Sequence, residues 1–279
     1  MTTTNGTQHL APAPKRGEST RVLMIGCGQM GGALLTRWIE SPEFQFTVIS
    51  PSGSRQFPAT VQSLRSVTGL GDSQFDIVVI GVKPQMIKEV LPDYLNTLAE
   101  DGVFVSIAAG FACSSLAQIT HSAPMIRVMP NLPVSIGKGV SGLYADPQTA
   151  PAHRARVERL MTPTGKLVWV DSEDALDRLT AIAGSGPGFA FEVARSWVQA
   201  AEALGFSADQ ARAMVLGTIE GAIELALSTA EPLDELRNRV TSKNGATYAG
   251  LLAMNGNGQL DQLLEETVQA AYDRAVELR

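Results

Sequence analysis

Arg21-Val-Leu-Met-Ile-Gly-Cys-Gly-Gln-Met-Gly-Gly32 is the stretch of sequence that decides the fold. Residues 22–25 form an apolar run long enough for a buried strand, and residues 33–39 have the composition of a helix. Between them the glycines follow the order G-x-G-x-x-G, which indicates a dinucleotide site when a strand precedes it and a helix follows. The alternative is a glycine-rich turn that binds no ligand. The predicted cofactor-binding residues of this loop are Gly26, Cys27, Gly28, Gln29, Met30 and Gly31.

The composition limits the class of protein. The chain has 279 residues, of which 44% are hydrophobic and 18% charged, so one or two domains with sizeable cores can form. The net charge of −6 argues against nucleic acid as a partner, and no apolar run is long enough to cross a membrane. Two cysteines give no disulfide framework, and no metal-ligand cluster is visible. Residues 1–20 are polar, so we expect a disordered tail and a cytoplasmic protein.

The second predicted strand, at residues 46–50, bears on cofactor choice. An NAD site usually has an acidic residue at the end of this strand, where it binds the ribose hydroxyls. Here the strand is followed by Ser50, Ser52 and Arg55 instead, and these side chains suit the 2′-phosphate of NADP(H). The sequence therefore favours NADPH and leaves NADH open. The alternative is a solvated turn with a surface arginine.

Further strand patterns alternate with helical ones up to residue 170, which predicts a Rossmann-type, doubly wound parallel sheet over residues 21–170. The strands are predicted at residues 76–82, 103–107, 125–129, 139–144 and 166–170, with a helix at 150–161. Ligands of such sheets bind at the carboxyl ends of the strands. The residues predicted to bind cofactor at this edge are Val82, Lys83, Pro84, Ala108, Ala109 and Asn131.

After residue 170 the strand patterns stop and alanine-rich helical periodicity begins. Helices are predicted at 174–180, 189–204 and 208–229, and a last one carries an apolar face from Leu260 to Val276. Residues 171–279 therefore form a predicted all-helical domain. These helices are too apolar for an isolated small domain, so we expect burial against a second copy in a dimer or an assembly of dimers.

Several motifs together resemble the pyrroline-5-carboxylate reductase family. They are I-G-C-G-Q-M-G at 25–31, V-K-P at 82–84, S-I-A-A-G at 106–110, R-V-M-P-N at 127–131, G-S-G-P at 184–187 and L-R-N-R-V-T-S-K-N-G-A-T at 236–247. The resemblance covers residues 21–279. It implies an NADPH-binding Rossmann domain, a helical dimerisation domain, and reduction of 1-pyrroline-5-carboxylate to L-proline.

The resemblance also implies a substrate site. The loop at 242–247 would hold the substrate carboxylate largely through backbone N–H groups, Thr247 would contact the ring nitrogen as the catalytic residue, and the turn at 184–187 would help close the pocket. The substrate-binding residues implied are Ser185, Gly186, Ser242, Lys243, Asn244, Gly245, Ala246 and Thr247. None of the histidines, His9, His121 and His153, stands in a catalytic context, and an imine that binds already protonated needs none.

The sequence departs from the family pattern at Leu132, at Gly188-Phe189 and at Lys243-Asn244, where Thr, Ala-Tyr and Pro-Gly are usual. These departures leave another cyclic imine open as the substrate. A non-catalytic NADP-binding redox sensor is the alternative outside enzymes. The β-hydroxyacid dehydrogenase group has a similar glycine loop but uses a lysine early in its helical domain, and no lysine occurs here between Lys166 and Lys243.

Overall fold

A computed structural model describes residues 19–53 and 55–279 of the chain. The expected tail at 1–20 lies outside the described residues apart from Ser19 and Thr20, and Thr20 already begins the first strand. The described strands form one eight-stranded sheet in the order β3-β2-β1-β4-β5-β6-β7-β8. The strands are β1 Thr20–Ile25, β2 Phe44–Ile49, β3 Val61–Leu64, β4 Phe75–Ile80, β5 Leu98–Ser106, β6 Met125–Met129, β7 Gly139–Ala145 and β8 Gly165–Trp169.

Strands β1 to β6 are parallel and have the 3-2-1-4-5-6 order of a Rossmann fold, as predicted. The parallel prediction is wrong for the last two strands, because β7 runs antiparallel to β6 and β8 runs parallel to β7. Only a short 3-10 helix, Leu132–Ile136, joins β6 to β7. An antiparallel neighbour can be reached by such a short connection, whereas a parallel one needs a longer crossover.

Helices cover both faces of the sheet, and a separate apolar core lies on each face. One core packs Trp38 and Leu34 against β1 and β2, and the other packs Ile87, Leu91 and Leu116 against the opposite face. The helices of this part are α1 Gln29–Trp38, α2 Ile87–Val90, α3 Cys113–Thr120, α4 Pro151–Met161 and α5 Glu173–Leu179. The 3-10 helices are Val67–Leu70, Pro84–Met86, Leu91–Thr97, Leu132–Ile136 and Thr162–Thr164, and α5 continues into a π-helix, Thr180–Gly184.

The chain divides into two compact units, and the division differs from the boundary expected at residue 170/171. The first unit extends to Ser185 and also includes Tyr272–Arg279, while the second is Gly186–Ala271. Helix α5 belongs to the first unit because its Glu173 accepts hydrogen bonds from the fully buried Arg127 at 2.8 Å and from the Cys113 N–H at 2.7 Å. The last residues return to the same helix, where Tyr272 donates to Asp174 at 2.6 Å.

The second unit is all-helical, as predicted, but it has almost no core of its own. Within Gly186–Ala271 only Ala194, Ala211 and Val215 are buried. Its helices are α6 Gly186–Ala203, α7 Ala208–Ser228, α8 Leu233–Arg239, α9 Ala246–Asn255 and α10 Gln259–Glu277, the last of which ends in the first unit. Over the described residues, no helix combines the length and apolar character of a membrane span, and no cluster of metal-ligating side chains occurs.

Candidate active site

The glycine loop has the geometry that its sequence requires. Gly26 follows β1 with φ +79°, and a Cβ there would lie 2.8 Å from Cγ1 of Val82. Gly81, at the end of β4, is equally tight, because a Cβ on it would lie 2.6 Å from the Gly26 carbonyl oxygen. Gly31 contacts Met24 of β1, where a Cβ would lie 3.3 Å from the sulfur. The loop therefore brings α1 close to the strand, as the fingerprint predicts.

Gly28, unlike the closely packed Gly26, faces open space. It is the N-cap of α1, no side chain caps the helix there, and a Cβ on it would meet no atom within 4 Å. The first backbone N–H groups of an α-helix have no partner within the helix and attract anions. Gln29 and Met30 stand in this first turn, and Cys27 precedes it. The space above Gly28 and the free amides below it suit a pyrophosphate.

The turn after β2 lies next to this loop. Ser50 is buried and donates its N–H to Leu64 of β3 at 2.9 Å, and Ser52 lies exposed in the following turn. Arg55 reaches back to the glycine loop, where its Nη1 donates to the Gly28 carbonyl at 3.2 Å and to Sγ of Cys27 at 3.6 Å. Burial raises the pKa of the Cys27 thiol, and the Arg55 charge opposes that rise.

The remaining predicted cofactor residues at the carboxyl edge come from β4 and β5. Val82, Lys83 and Pro84 follow β4, with Lys83 accepting a hydrogen bond from the Met86 N–H at 2.9 Å. Ala108 and Ala109 follow β5, Ala108 buried in the core and Ala109 exposed. Since β1, β2, β4 and β5 are parallel, their carboxyl ends meet at one edge. The structure thus gathers these residues at one edge of the sheet.

Asn131 differs from the other predicted cofactor residues because both ends of its amide bind protein. Its Nδ2 donates to the Ala183 carbonyl at 2.9 Å, and its Oδ1 accepts from the Val140 N–H at 2.9 Å. The side chain is buried and ties the end of β6 to β7 and to the π-helix. These contacts give Asn131 a positioning role that its place in R-V-M-P-N did not reveal.

The predicted substrate residues fall in both units. Ser185 ends the first unit directly after the π-helix, where its N–H donates to the Thr180 carbonyl at 2.9 Å, and Gly186 begins α6. π-helical segments are rare and often occur at functional sites. The others, from Ser242 to Thr247, lie together in the second unit at the start of α9.

Ser242–Gly245 is a tight turn in which the Gly245 N–H donates to the Ser242 carbonyl at 3.0 Å. Its third residue, Asn244, has φ +59°. Glycine and asparagine are the residues that adopt this conformation most readily, so Asn244 maintains the backbone conformation that the usual glycine would adopt. Lys243, where proline is usual, is exposed. The departure therefore changes the side chains of this turn while its backbone remains a tight turn.

The turn leads directly into the N-terminus of α9. Gly245 is the N-cap and no side chain caps the helix, so the amides of its first turn, which includes Ala246 and Thr247, are available to an anion. Among the residues that the structure describes, the hydroxyls of Ser242 and Thr247 have no hydrogen-bond partner. This arrangement can hold a carboxylate and still present a hydroxyl beside it.

Sequence similarity to known proteins decides the family. The chain is 35% identical to the pyrroline-5-carboxylate reductase of Pseudomonas aeruginosa over 266 residues, which cover 92% of this chain and 96% of that protein. It is 32% identical to the enzyme of that name from Vibrio alginolyticus, over 94% of this chain and 98% of the relative. The chain belongs to the pyrroline-5-carboxylate reductase family.

Two family models match different parts of the chain, and both matches agree with this family membership. Residues 173–278 match the pyrroline-5-carboxylate reductase dimerisation domain, and residues 21–110 match a coenzyme F420-dependent NADP oxidoreductase domain. Among solved structures, the pyrroline-5-carboxylate reductase of Coxiella burnetii aligns with a TM-score of 0.82 at 26% identity, over 94% of this chain and 99% of that one. The Plasmodium falciparum enzyme, solved with NADP bound, aligns with the same TM-score at 24% identity, over 94% and 98% of the chains, and shows the common fold.

Proposed function

We propose that the protein reduces 1-pyrroline-5-carboxylate to L-proline with NADPH, the last step of proline biosynthesis. The observation that carries the proposal is the substrate turn at Ser242–Gly245, which keeps a tight backbone before an uncapped helix in a chain of this family. NADH is the alternative cofactor. We also propose a cytoplasmic location and no nucleic-acid partner, the latter supported by the net charge of −6.

The carboxyl edge of the sheet fits the dinucleotide. The open space at Gly28 and the free amides of α1 suit the pyrophosphate, and the serines after β2 together with Arg55 suit a ribose phosphate. When bound, NADPH supplies the hydride. The chain's residues have the task of holding its reactive face against the imine carbon, and positioning of this kind can supply much of the rate.

The substrate turn fits the carboxylate of a small imino acid. In this proposal the carboxylate accepts hydrogen bonds from the first amides of α9, and the exposed Lys243 adds a positive charge that proline lacks. The proposed substrate-binding residues are Ser185, Gly186, Ser242, Lys243, Asn244, Gly245, Ala246 and Thr247.

Thr247 is the proposed catalytic residue. An imine that binds with its nitrogen already protonated requires no acid from the protein before hydride arrives. The hydroxyl of Thr247, which has no partner among the described residues, would hydrogen-bond the ring nitrogen while hydride transfer to the adjacent carbon neutralises the iminium charge and leaves the amine.

A homodimer, alone or as part of a larger assembly, is the proposed functional form. Support comes from the dimerisation model that matches residues 173–278 and from the near absence of buried side chains in the second unit. A second copy would cover the exposed apolar side chains of α6 and α7.

Reduction of 1-pyrroline-5-carboxylate is tested by following NADPH absorbance with the purified protein, in parallel with the six-membered homologue. Rapid oxidation with the five-membered ring supports the proposal. Turnover of the homologue alone would reassign the enzyme to another cyclic imine. NADPH binding without turnover of either compound would favour the redox-sensor alternative.

Thr247→Ala is expected to lower kcat for imine reduction by about tenfold or more, because one hydrogen bond to the changing charge is lost. The NADPH dissociation constant should remain unchanged. Thr247→Ser keeps the hydroxyl and is the matched control, which should retain most of the activity. Equal kcat values for the alanine variant and the wild type would remove the catalytic role.

A further inference from the structure

Arg65, which the sequence analysis did not single out, follows β3, and its guanidinium packs against the turn after β2 that carries the predicted cofactor-binding serines. β3 pairs in parallel with β2, with Ile49 opposite Leu64, so the residues that follow the two strands emerge side by side. The Arg65 guanidinium packs on Gly53, where a Cβ would lie 2.5 Å from Nη2 and 2.7 Å from Cζ. The turn therefore accommodates this arginine because Gly53 has no side chain.

Arg55 packs in a comparable way on the glycine loop. A Cβ on Gly32, in α1, would overlap Nη1 of Arg55, so any larger residue at this position would make the guanidinium shift. The same nitrogen donates to the Gly28 carbonyl at 3.2 Å. Each of the two arginines thus occupies space left free by a glycine, Arg65 at the turn after β2 and Arg55 at the loop after β1.

In the described part of the chain, no carboxylate neutralises the charge of either guanidinium. The described carboxylates form no ion pair with Arg55 or Arg65, and Pro51, Ser52 and Gly53 carry no charge. Both guanidinium groups are therefore available to an anion bound at the carboxyl edge of the sheet. A phosphate monoester carries nearly two negative charges and accepts bidentate hydrogen bonds from arginine.

We infer that Arg55 and Arg65 together bind the 2′-phosphate of the cofactor and that Arg65 sets the preference for NADPH over NADH. This inference rests on the proposed use of NADPH. Arg65 contributes a second guanidinium beside the turn, whereas Arg55 spans the turn and the glycine loop. NADH has a free hydroxyl in place of the phosphate, so it gains nothing from the second charge.

Arg65→Gln tests the inference through binding, with no imine present. The dissociation constants of NADPH and NADH are measured by titration of the reduced nicotinamide fluorescence. We expect NADPH to bind about tenfold more weakly, because the phosphate loses one charged hydrogen-bond partner. NADH should bind as it does to the wild type. Lys166→Gln, on the exposed face of β8 at the other edge of the sheet, removes the same charge and should change neither constant.

Arg65→Lys is the second variant, because it keeps the positive charge and removes the planar guanidinium that binds a phosphate bidentately. It should weaken NADPH selectively, like Arg65→Gln. Equal weakening of both cofactors, no change in either, or a wild-type protein that prefers NADH would overturn the inference. A wild-type protein that binds NADPH selectively but reduces no imine would refute only the proposed function.

Discussion

Asn244 shows how a single residue can depart from a family pattern and preserve a backbone conformation. It is one of three non-glycine residues with positive φ among those described, and it stands where glycine is usual. Asparagine tolerates this region through its short polar side chain, whereas a β-branched side chain clashes with the backbone. The sequence identified the departure, but it could not show that the turn persists, because φ is not visible in residue identity.

Asn244→Gly is therefore expected to leave both stability and imine reduction nearly unchanged. Asn244→Val should lower the free energy of unfolding by about 1–2 kcal/mol, because valine at φ +59° is strained, and should weaken substrate binding as the turn shifts. Urea unfolding and the KM for the imine check both variants. Equal behaviour of the glycine and valine variants would contradict the role given to the turn.

Cys113 gives a prediction about pH. Burial, the nearby Glu173 charge and other contacts raise the pKa of its thiol to about 12. At pH 8 only about one Cys113 in ten thousand would then be a thiolate, and the thiolate is the reactive form. Alkylation at pH 8, with the modified peptides identified by mass spectrometry, should label the partly exposed Cys27 first and Cys113 chiefly after unfolding. While the protein stays folded, the labelling rate of Cys113 should rise about tenfold for each unit of pH, and rapid labelling at pH 8 would contradict the assignment.

At the scale of elements, strong local patterns were predictable and weak ones were not. The strands β1, β2, β4, β5 and β6 each contain a short, mostly apolar run that predicted the strand, although β5 begins five residues before the predicted start at residue 103. β3 was missed because Val61–Leu64 is a short edge strand with two polar residues. The direction of β7 and the π-helix after α5 depend on tertiary contacts, which leave no periodic signal in the sequence. Arg65 was missed for the same reason, since its relevance depends on β3.

The link from β6 to the π-helix can be tested at Asn131. Asn131→Asp keeps an acceptor for the Val140 N–H but places a carboxylate oxygen against the Ala183 carbonyl. We expect the free energy of unfolding to fall by about 1–3 kcal/mol, the usual cost of losing a buried hydrogen bond. Asn131→Ala removes both bonds and serves as the reference for complete loss. Urea unfolding measures stability, and a titration with NADPH separates a positioning role, which spares cofactor binding, from direct contact.

For the whole molecule, the exposed apolar side chains of the helical unit predict association. Large apolar side chains such as Phe191, Trp197 and Leu227 are exposed in the single chain, with Phe191 and Leu227 more than 60% accessible. We expect sedimentation to give a dimer or a multiple of it and the unfolding temperature to rise with protein concentration. Phe191→Glu should weaken the assembly, whereas Val168→Glu, an exposed apolar position on β8, should not. A wild-type monomer at micromolar concentration would contradict this expectation.

The bare helices of Gly186–Ala271 also bear on how the protein is made. The sheet unit has two cores and can begin to fold while the rest of the chain is being translated, although its residues Tyr272–Arg279 follow the helical unit in the chain. The helical unit has three buried residues, and in the proposed dimer a second copy would cover its exposed apolar side chains. A newly synthesised chain therefore exposes apolar helices until it meets a second copy, and chaperones protect it from aggregation during that interval. The interval shortens as the rate of synthesis rises, because a higher concentration of chains makes the encounter faster.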